Sequence, residues 1–234
     1  MMRNALLIVI AILLAAPVLF AEDGAKGADQ DDEIKITSTP HSEWTEGVEY
    51  FQKQTAETAA KRLRWSISVG ALPPGLELSE EGELAGTPTQ AGNFDFTLKV
   101  TSEFDTSGTK ECSIEINEAV AMPIQDLMRW TEDSNFSHTF QASGGTGTLT
   151  YGLSGGELPE GLSLDEEGLL SGQPMAAGLF RFTVSAQDSL GSVGIAEIEL
   201  EINDVPTLTD LGLDSWTMNR EFATDIGVQG GTAP

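Results

Sequence analysis

A single cysteine, Cys112, stands in a chain of 234 residues. An internal disulfide is excluded, so each domain must be held by its own apolar core. Cationic residues are also scarce: 12 Lys and Arg against 37 Asp and Glu, for a formal net charge of −25. That balance opposes binding to nucleic acid or anionic lipid and favours solubility, cation uptake and repulsion between copies. The only histidines are His41 and His138, so no Cys/His cluster is available for zinc. No long helical period is present, and after residue 21 no run approaches the ~20 apolar residues of a membrane helix. Hydrophobic residues still make up 40% of the chain, which argues for packed domains and against disorder.

The one long apolar run is N-terminal. MMRN supplies a basic start, ALLIVIAILLAAPVLFA is apolar, and EDG begins polar sequence. This is the layout of a secretory signal peptide over residues 1–21, cut after Ala21. Leu19 is larger than usual for its place before the cut, and an uncleaved anchor is the alternative. No cysteine ends the run, which argues against a lipoprotein anchor. Residues 22–33, EDGAKGADQDDE, read as a solvated acidic linker. The expectation is an exported protein, secreted or at the cell surface, whose mature chain inserts no segment into a membrane.

The stretch LPPGLELSEEGELAGTP at 72–88 returns as LPEGLSLDEEGLLSGQP at 158–174. Leu72 and Leu158 stand 86 residues apart, and the same offset pairs Gly82 with Gly168, Pro88 with Pro174, Phe96 with Phe182 and Ile116 with Ile202. Trp44, Trp130 and Trp216 recur at that spacing, as do Gly144-Gly145 and Gly230-Gly231. The chain therefore holds two whole units and the start of a third. The third stops at GGTAP, so a longer protein with this chain as its N-terminal piece is expected.

Each unit reads as short strands. In FRFTVSAQD, Phe180, Phe182, Val184 and Ala186 share one parity, and IAEIELEIN places Ile198, Leu200 and Ile202 inward with Glu197, Glu199 and Glu201 outward. DSLGSVG and EFDTSGT are hairpin turns by composition. The repeated phrase holds a turn of its own. Ser79 or Asp165 opens it with a side-chain bond to a backbone amide, and Gly82 or Gly168 closes it at positive φ as a type I turn with a G1 bulge. The paired acids Glu80-Glu81 and Glu166-Glu167 then point to water. Only QKQTAETAAKRL, 52–63, has helical character, and it reads as a variant loop or a short helical turn. Many short strands and no helical period predict an all-β chain of antiparallel sandwiches.

The combined motif resembles the putative immunoglobulin-like (PIG) repeat family of bacterial secreted and surface proteins, of the cadherin-like and Ig-like β-sandwich type. Unit two carries it through Gly144-Gly145, Tyr151, LPEGLSL, LLSGQP, Gly178 and FRFTVSAQDSLG. Unit one matches from Trp65 through Phe96 but lacks the Gly-Gly turn, and its FDTSG departs from the D-x-x-G ending; unit three matches only through VQGGTAP. The resemblance implies tandem immunoglobulin-like antiparallel β-sandwiches: domain 1 over 34–118, domain 2 over 119–204 and the start of a third over 205–234. It implies no catalytic residue, and some related cadherin-like arrays bind calcium between domains.

The residues agree on the absence of an active site. Adjacent turn carboxylates do not face each other across a substrate as two glycosidase acids must. His41 and His138 are not repeat equivalents, and Cys112 falls on the inward parity opposite Ile198, as a small buried hydrophobe. The recurring tryptophans read as core or interface residues, with an exposed sugar platform as the alternative. Asn135-Phe136-Ser137 spells a glycosylation sequon, relevant only in a eukaryotic secretory pathway. Calcium is the one candidate cofactor, with Asn203 and Asp204 at the second junction and Asp188 and Asp210 approaching from a loop and the next unit. The D-x-N-x-D spacing of a dedicated loop is absent.

The sequence thus predicts a non-enzymatic repeat module, a spacer or adhesive, ligand-presenting stalk of a larger surface or secreted protein. Its contacts would be neighbouring repeats in the same chain and a protein or carbohydrate ligand. Two alternatives stand beside it: accessory repeats of an extracellular enzyme whose catalytic domain lies beyond residue 234, and a calcium-stiffened cadherin-like adhesin.

Overall fold

The structure, a computed structural model, describes residues 33–123, 129–209, 218, 221 and 227–232. The expected leader, most of the acidic linker, Asp210 and Trp216 lie outside them. Among the described residues every regular element is a strand.

Unit one contains β1 (Lys35–Ile36), β2 (Glu43–Thr45), β3 (Tyr50–Lys53), β4 (Ala56–Glu57), β5 (Leu63–Gly70), β6 (Leu76–Leu78), β7 (Glu83–Gly86), β8 (Gly92–Ser102) and β9 (Ser107–Asn117). One sheet has the order β2-β9-β8-β5 and the other β3-β7-β6, with β1 and β4 paired separately. All pairs are antiparallel except β2 with β9, which run parallel. Phe96, Leu98, Val100, Ile114 and Ile116 from the first sheet meet Tyr50, Leu76 and Leu84 from the second in one buried cluster. This is the two-layer sandwich that period-two alternation requires, since each sheet has one apolar face to hide.

Unit two repeats the plan with β10 (Trp130–Thr131), β11 (Phe136–Thr139), β12 (Thr150–Gly156), β13 (Leu162–Leu164), β14 (Leu169–Gly172), β15 (Gly178–Gln187) and β16 (Val193–Asn203). Its sheets are β10-β16-β15-β12 and β11-β14-β13. Even the irregularities recur: β5 has a bulge between Ile67 and Val69, and β12 has one between Leu153 and Gly155, 86 residues on. In the third unit β17 (Thr207–Leu208) pairs with β18 (Val228–Gln229), matching the isolated Ala121–Ser143 bridge of unit two.

The stretch 52–63 forms no helix. It continues β3, passes through β4 and enters β5, with Gln52 paired to Leu84 and Ala56 to Ile36. Cross-strand pairing here overrides the local preference of Ala, Glu, Lys and Gln.

The repeated phrase folds as its composition dictates. Ser79 Oγ accepts from the Glu83 amide at 3.1 Å, and Asp165 Oδ1 from the Leu169 amide at 2.7 Å. Gly82 and Gly168 have φ of 87° and 89°. A side chain at either would strike the ring of Trp65 or Tyr151 beneath, so the turn glycine is required by packing as well as by φ. Glu80, Glu81, Glu166 and Glu167 are exposed.

Candidate interdomain joint

The described residues with catalytic potential do not converge. His41 lies against Trp44 and Tyr50, while His138 lies edge-on to Phe140, with ring centres 5.0 Å apart, in the other unit. Burial pushes the Cys112 thiol up, toward the unreactive form, and pushes the Tyr50 phenol up to about 12. Trp44 and Trp130 are half-buried, and each spends its indole N–H on its own turn, at Val48 O and Ser134 O, both 3.1 Å away. Among the described residues no group of three or more His, Cys, Asp or Glu side chains is placed to hold a metal ion.

Polar chemistry gathers instead where unit one meets unit two. Thr45, at the end of β2, is fully buried, and Asp188, at the start of the β15–β16 turn, is 6% exposed. Thr45 Oγ1 donates to Asp188 Oδ2 at 2.6 Å and lies 2.7 Å from Thr146 Oγ1. Asn117 Nδ2 donates to the same Thr146 Oγ1 at 3.0 Å. A hydroxyl has one proton to give, so the direction is fixed: Asn117 donates to Thr146, Thr146 to Thr45, and Thr45 to the carboxylate. Each bond polarises the next, and the chain ends on a charge, the strong arrangement for such a series.

Asp188 is the hub. Its Oδ1 accepts from the amides of Ser192 at 2.7 Å and Leu190 at 3.0 Å, which shapes its own hairpin. Its Oδ2 takes Thr45 and, at 2.9 Å, the Thr146 amide. Burial alone would raise its pKa; the Thr45 hydroxyl and the three amides outweigh burial and hold the carboxyl below its ordinary value.

The turn Gly144-Gly145-Thr146 completes the joint. Its glycines have φ of 78° and 80°, and Gly145 N donates to Glu118 O in the linker at 2.8 Å. A Cβ on Gly145 would sit 2.7 Å from Val120 Cγ2 and 2.8 Å from Asp188 Cβ. Only glycine lets the linker, the turn and the hairpin close on one another.

At the next junction the same parts return at the 86-residue offset. Asn203 Nδ2 donates to Thr232 Oγ1 at 3.2 Å, Thr131 and Thr232 hydroxyls lie 3.0 Å apart, and Gly231 N donates to Asp204 O at 2.7 Å. The Thr232 amide goes to Thr131 Oγ1 at 3.0 Å, where the Thr146 amide went to Asp188.

Of the four residues expected to gather round calcium, Asp210 lies outside the described residues and the other three are divided. Asp188 serves the first junction, and Asn203 and Asp204 serve the second. Between them runs β16, whose 11 residues span roughly 30 Å. Of these, Asp188 accepts two protein donors on each oxygen and would have to release at least one of them to ligate a cation. Thr45 and Thr146 were not singled out from the sequence. Their signal was available, because Thr45/Thr131, Asn117/Asn203 and Thr146/Thr232 are identical pairs at the repeat offset.

Fold and joint together define a tandem array of immunoglobulin-like sandwiches. The family described as Putative Ig domain matches residues 34–117 and 122–203, and the chain belongs to it. No curated protein matches. Among solved structures, the chain is similar to an E-to-A variant of titin domains I67–I69, with 13% identity over 87% of this chain and 77% of that one and a TM-score of 0.47. It is similar to mouse cadherin-23 EC22–24, at 18% identity over 75% and 66% with a TM-score of 0.36. A putative alpha-galactosidase/melibiase of Bacteroides fragilis NCTC 9343 aligns at 21% identity over 36% of this chain, with a TM-score of 0.32. The chain spans only 17% of that protein.

Proposed function

We propose that this chain is an exported, non-enzymatic spacer, an array whose units hold a fixed relation to one another so that a distal or lateral ligand site is presented at a set distance. The observation that carries the reading is the recurrence of the joint. The same Asn, Thr and Gly-Gly-Thr positions bridge units one and two and then units two and three. A merely tethered pair of domains needs no such bonds, since a polar linker suffices. The buried Thr45–Asp188 bond makes the first junction resistant to bending, because opening it would expose a charge network to reorganisation. The joint completes itself from protein donors, so its rigidity needs no calcium.

Small-angle X-ray scattering on the full chain, in millimolar calcium and again in chelator, tests this. The expected result is one narrow distribution of maximum dimension and one melting midpoint in both solutions. A broad distribution in both would overturn the spacer reading. A distribution that narrows, or a midpoint that rises, only with calcium would establish the cadherin-like alternative.

A further inference from the structure

We infer that unit one is the capping unit of the array: it carries the half of the joint that receives a following unit and lacks the half that grips a preceding one. This rests on the spacer reading above. The receiving half is Thr45 with Asn117, repeated as Thr131 with Asn203. The gripping half is Gly144-Gly145-Thr146 with Asp188. At the 86-residue offset, unit one has Thr58, Ala59, Ala60 and Ser102 in those four places. All four gripping residues are replaced, while both receiving residues are kept.

The replacements close the outer end of unit one upon itself. Ser102 keeps only the hairpin half of Asp188's work. Its hydroxyl accepts from the Phe104 amide at 3.2 Å, as Asp188 Oδ1 does from Leu190. A hydroxyl adds no second, charged oxygen to reach across to a neighbour. The loop is tied down from inside instead, since Glu103 accepts from the amides of Lys61 at 3.1 Å and Arg62 at 2.9 Å. Phe104 is 77% exposed at the hairpin tip, where its counterpart Leu190 is half-covered. The surroundings form a shallow open cleft lined by Lys61, Arg62, Arg64, Glu80, Glu103 and Asp105. Arg64 and Glu80 pair there at 3.4 Å, and the charged side chains face water, as terminal units of repeat arrays do in place of a stacking face.

Two insertions into the full chain test this, each keeping the 86-residue register and altering no core residue. In the first, a copy of residues 119–204 is placed between residues 32 and 33, so that it precedes unit one. In the second, the same copy is placed between residues 118 and 119, where unit one receives it. Amide 15N relaxation then gives a rotational correlation time for each unit. The first insertion is expected to tumble apart from units one and two, with a correlation time roughly twofold shorter. The second is expected to share one correlation time with both neighbours. If the leading copy also shares that common value, the capping inference fails and the spacer reading stands. If the copy in the second insertion tumbles independently, the joint is not transferable and both fall.

Discussion

Units one and two share a strand order, a bulge, a turn and an 86-residue register, yet they differ at their outer ends and at several core positions. Unit two reaches outward with a buried carboxylate that accepts from Thr45 of unit one. Unit one reaches inward, tying its loop with Glu103 and leaving Phe104 in water. The same sandwich can therefore be a link or an end, and a handful of loop residues decide which. The cores diverge as well: Gln54 is buried in unit one where unit two has the fully buried Phe140, and Gln54 Nε2 has no hydrogen-bond partner.

The largest break in this comparison should come from Asp188→Ala. Removing the carboxylate strands the amides of Leu190, Ser192 and Thr146 and the Thr45 hydroxyl, at a cost of about 3 kcal/mol. Ser102→Ala, at the equivalent place in unit one, strands one part-buried amide and should cost under about 1 kcal/mol. Denaturant melts of the two variants side by side measure the gap, and equal losses would mean that Asp188 does no more than shape its hairpin.

Acid should act on the same residue. The Asp188 carboxyl is held below its ordinary value, so the unfolded chain binds more protons there as pH falls, and its contribution is complete above the ordinary carboxylate pKa of about 3.9. That contribution is lost as pH drops through the lower folded value. Joint stability should therefore fall below about pH 4 in the native chain, and Asp188→Asn should flatten that part of the pH profile. An unchanged acid limb in the variant would assign acid sensitivity elsewhere.

A smaller effect separates the two joints. Thr45→Val removes a buried donor to a carboxylate and should cost about 2 kcal/mol, while Thr131→Val at the second, more exposed joint should cost about 0.5 kcal/mol. Hydrogen exchange at residues 188–192 reads the first directly: faster exchange in unit two after a change in unit one is the signature of coupling across the joint. The smallest predicted change is a gain. Gln54→Leu removes an unpartnered buried amide and should stabilise unit one by roughly 1 kcal/mol, even though Ser38 loses its acceptor. A loss of stability would show that the Ser38–Gln54 bond outweighs the orphaned nitrogen.

Much of the fold was legible because its causes are local. Alternation in Phe94–Val100 and Phe180–Ala186 marks strands with one wet face, and Ser79/Asp165 with Gly82/Gly168 spells a turn whose chemistry involves five residues. The sheet outer faces and the turn acids followed from parity. Where local preference and long-range pairing disagreed, at 52–63, pairing prevailed. The joint was read only in part. Gly144-Gly145 and the D-x-x-G ending stood out as motifs, and Asp188 was marked as a junction acid, but for a cation. Its partners Thr45 and Thr146, 143 and 42 residues away, are common polar residues with no signature of their own.

The sequence by itself determined the sandwich, its 86-residue period and the identity of its turns, since alternation, glycine φ and apolar burial act between neighbours or across one repeat. Only the tertiary structure decided what the acids do. Glu80-Glu81 and Glu166-Glu167 are alike in chemistry to Asp188 yet point to water from a turn corner, where Glu80 meets the exposed Arg64 at 3.4 Å. Asp188 is bonded because its own hairpin and the Gly-Gly-Thr turn supply three amides and the neighbouring unit adds the Thr45 hydroxyl, and burial with partners is set by what the chain brings together in space.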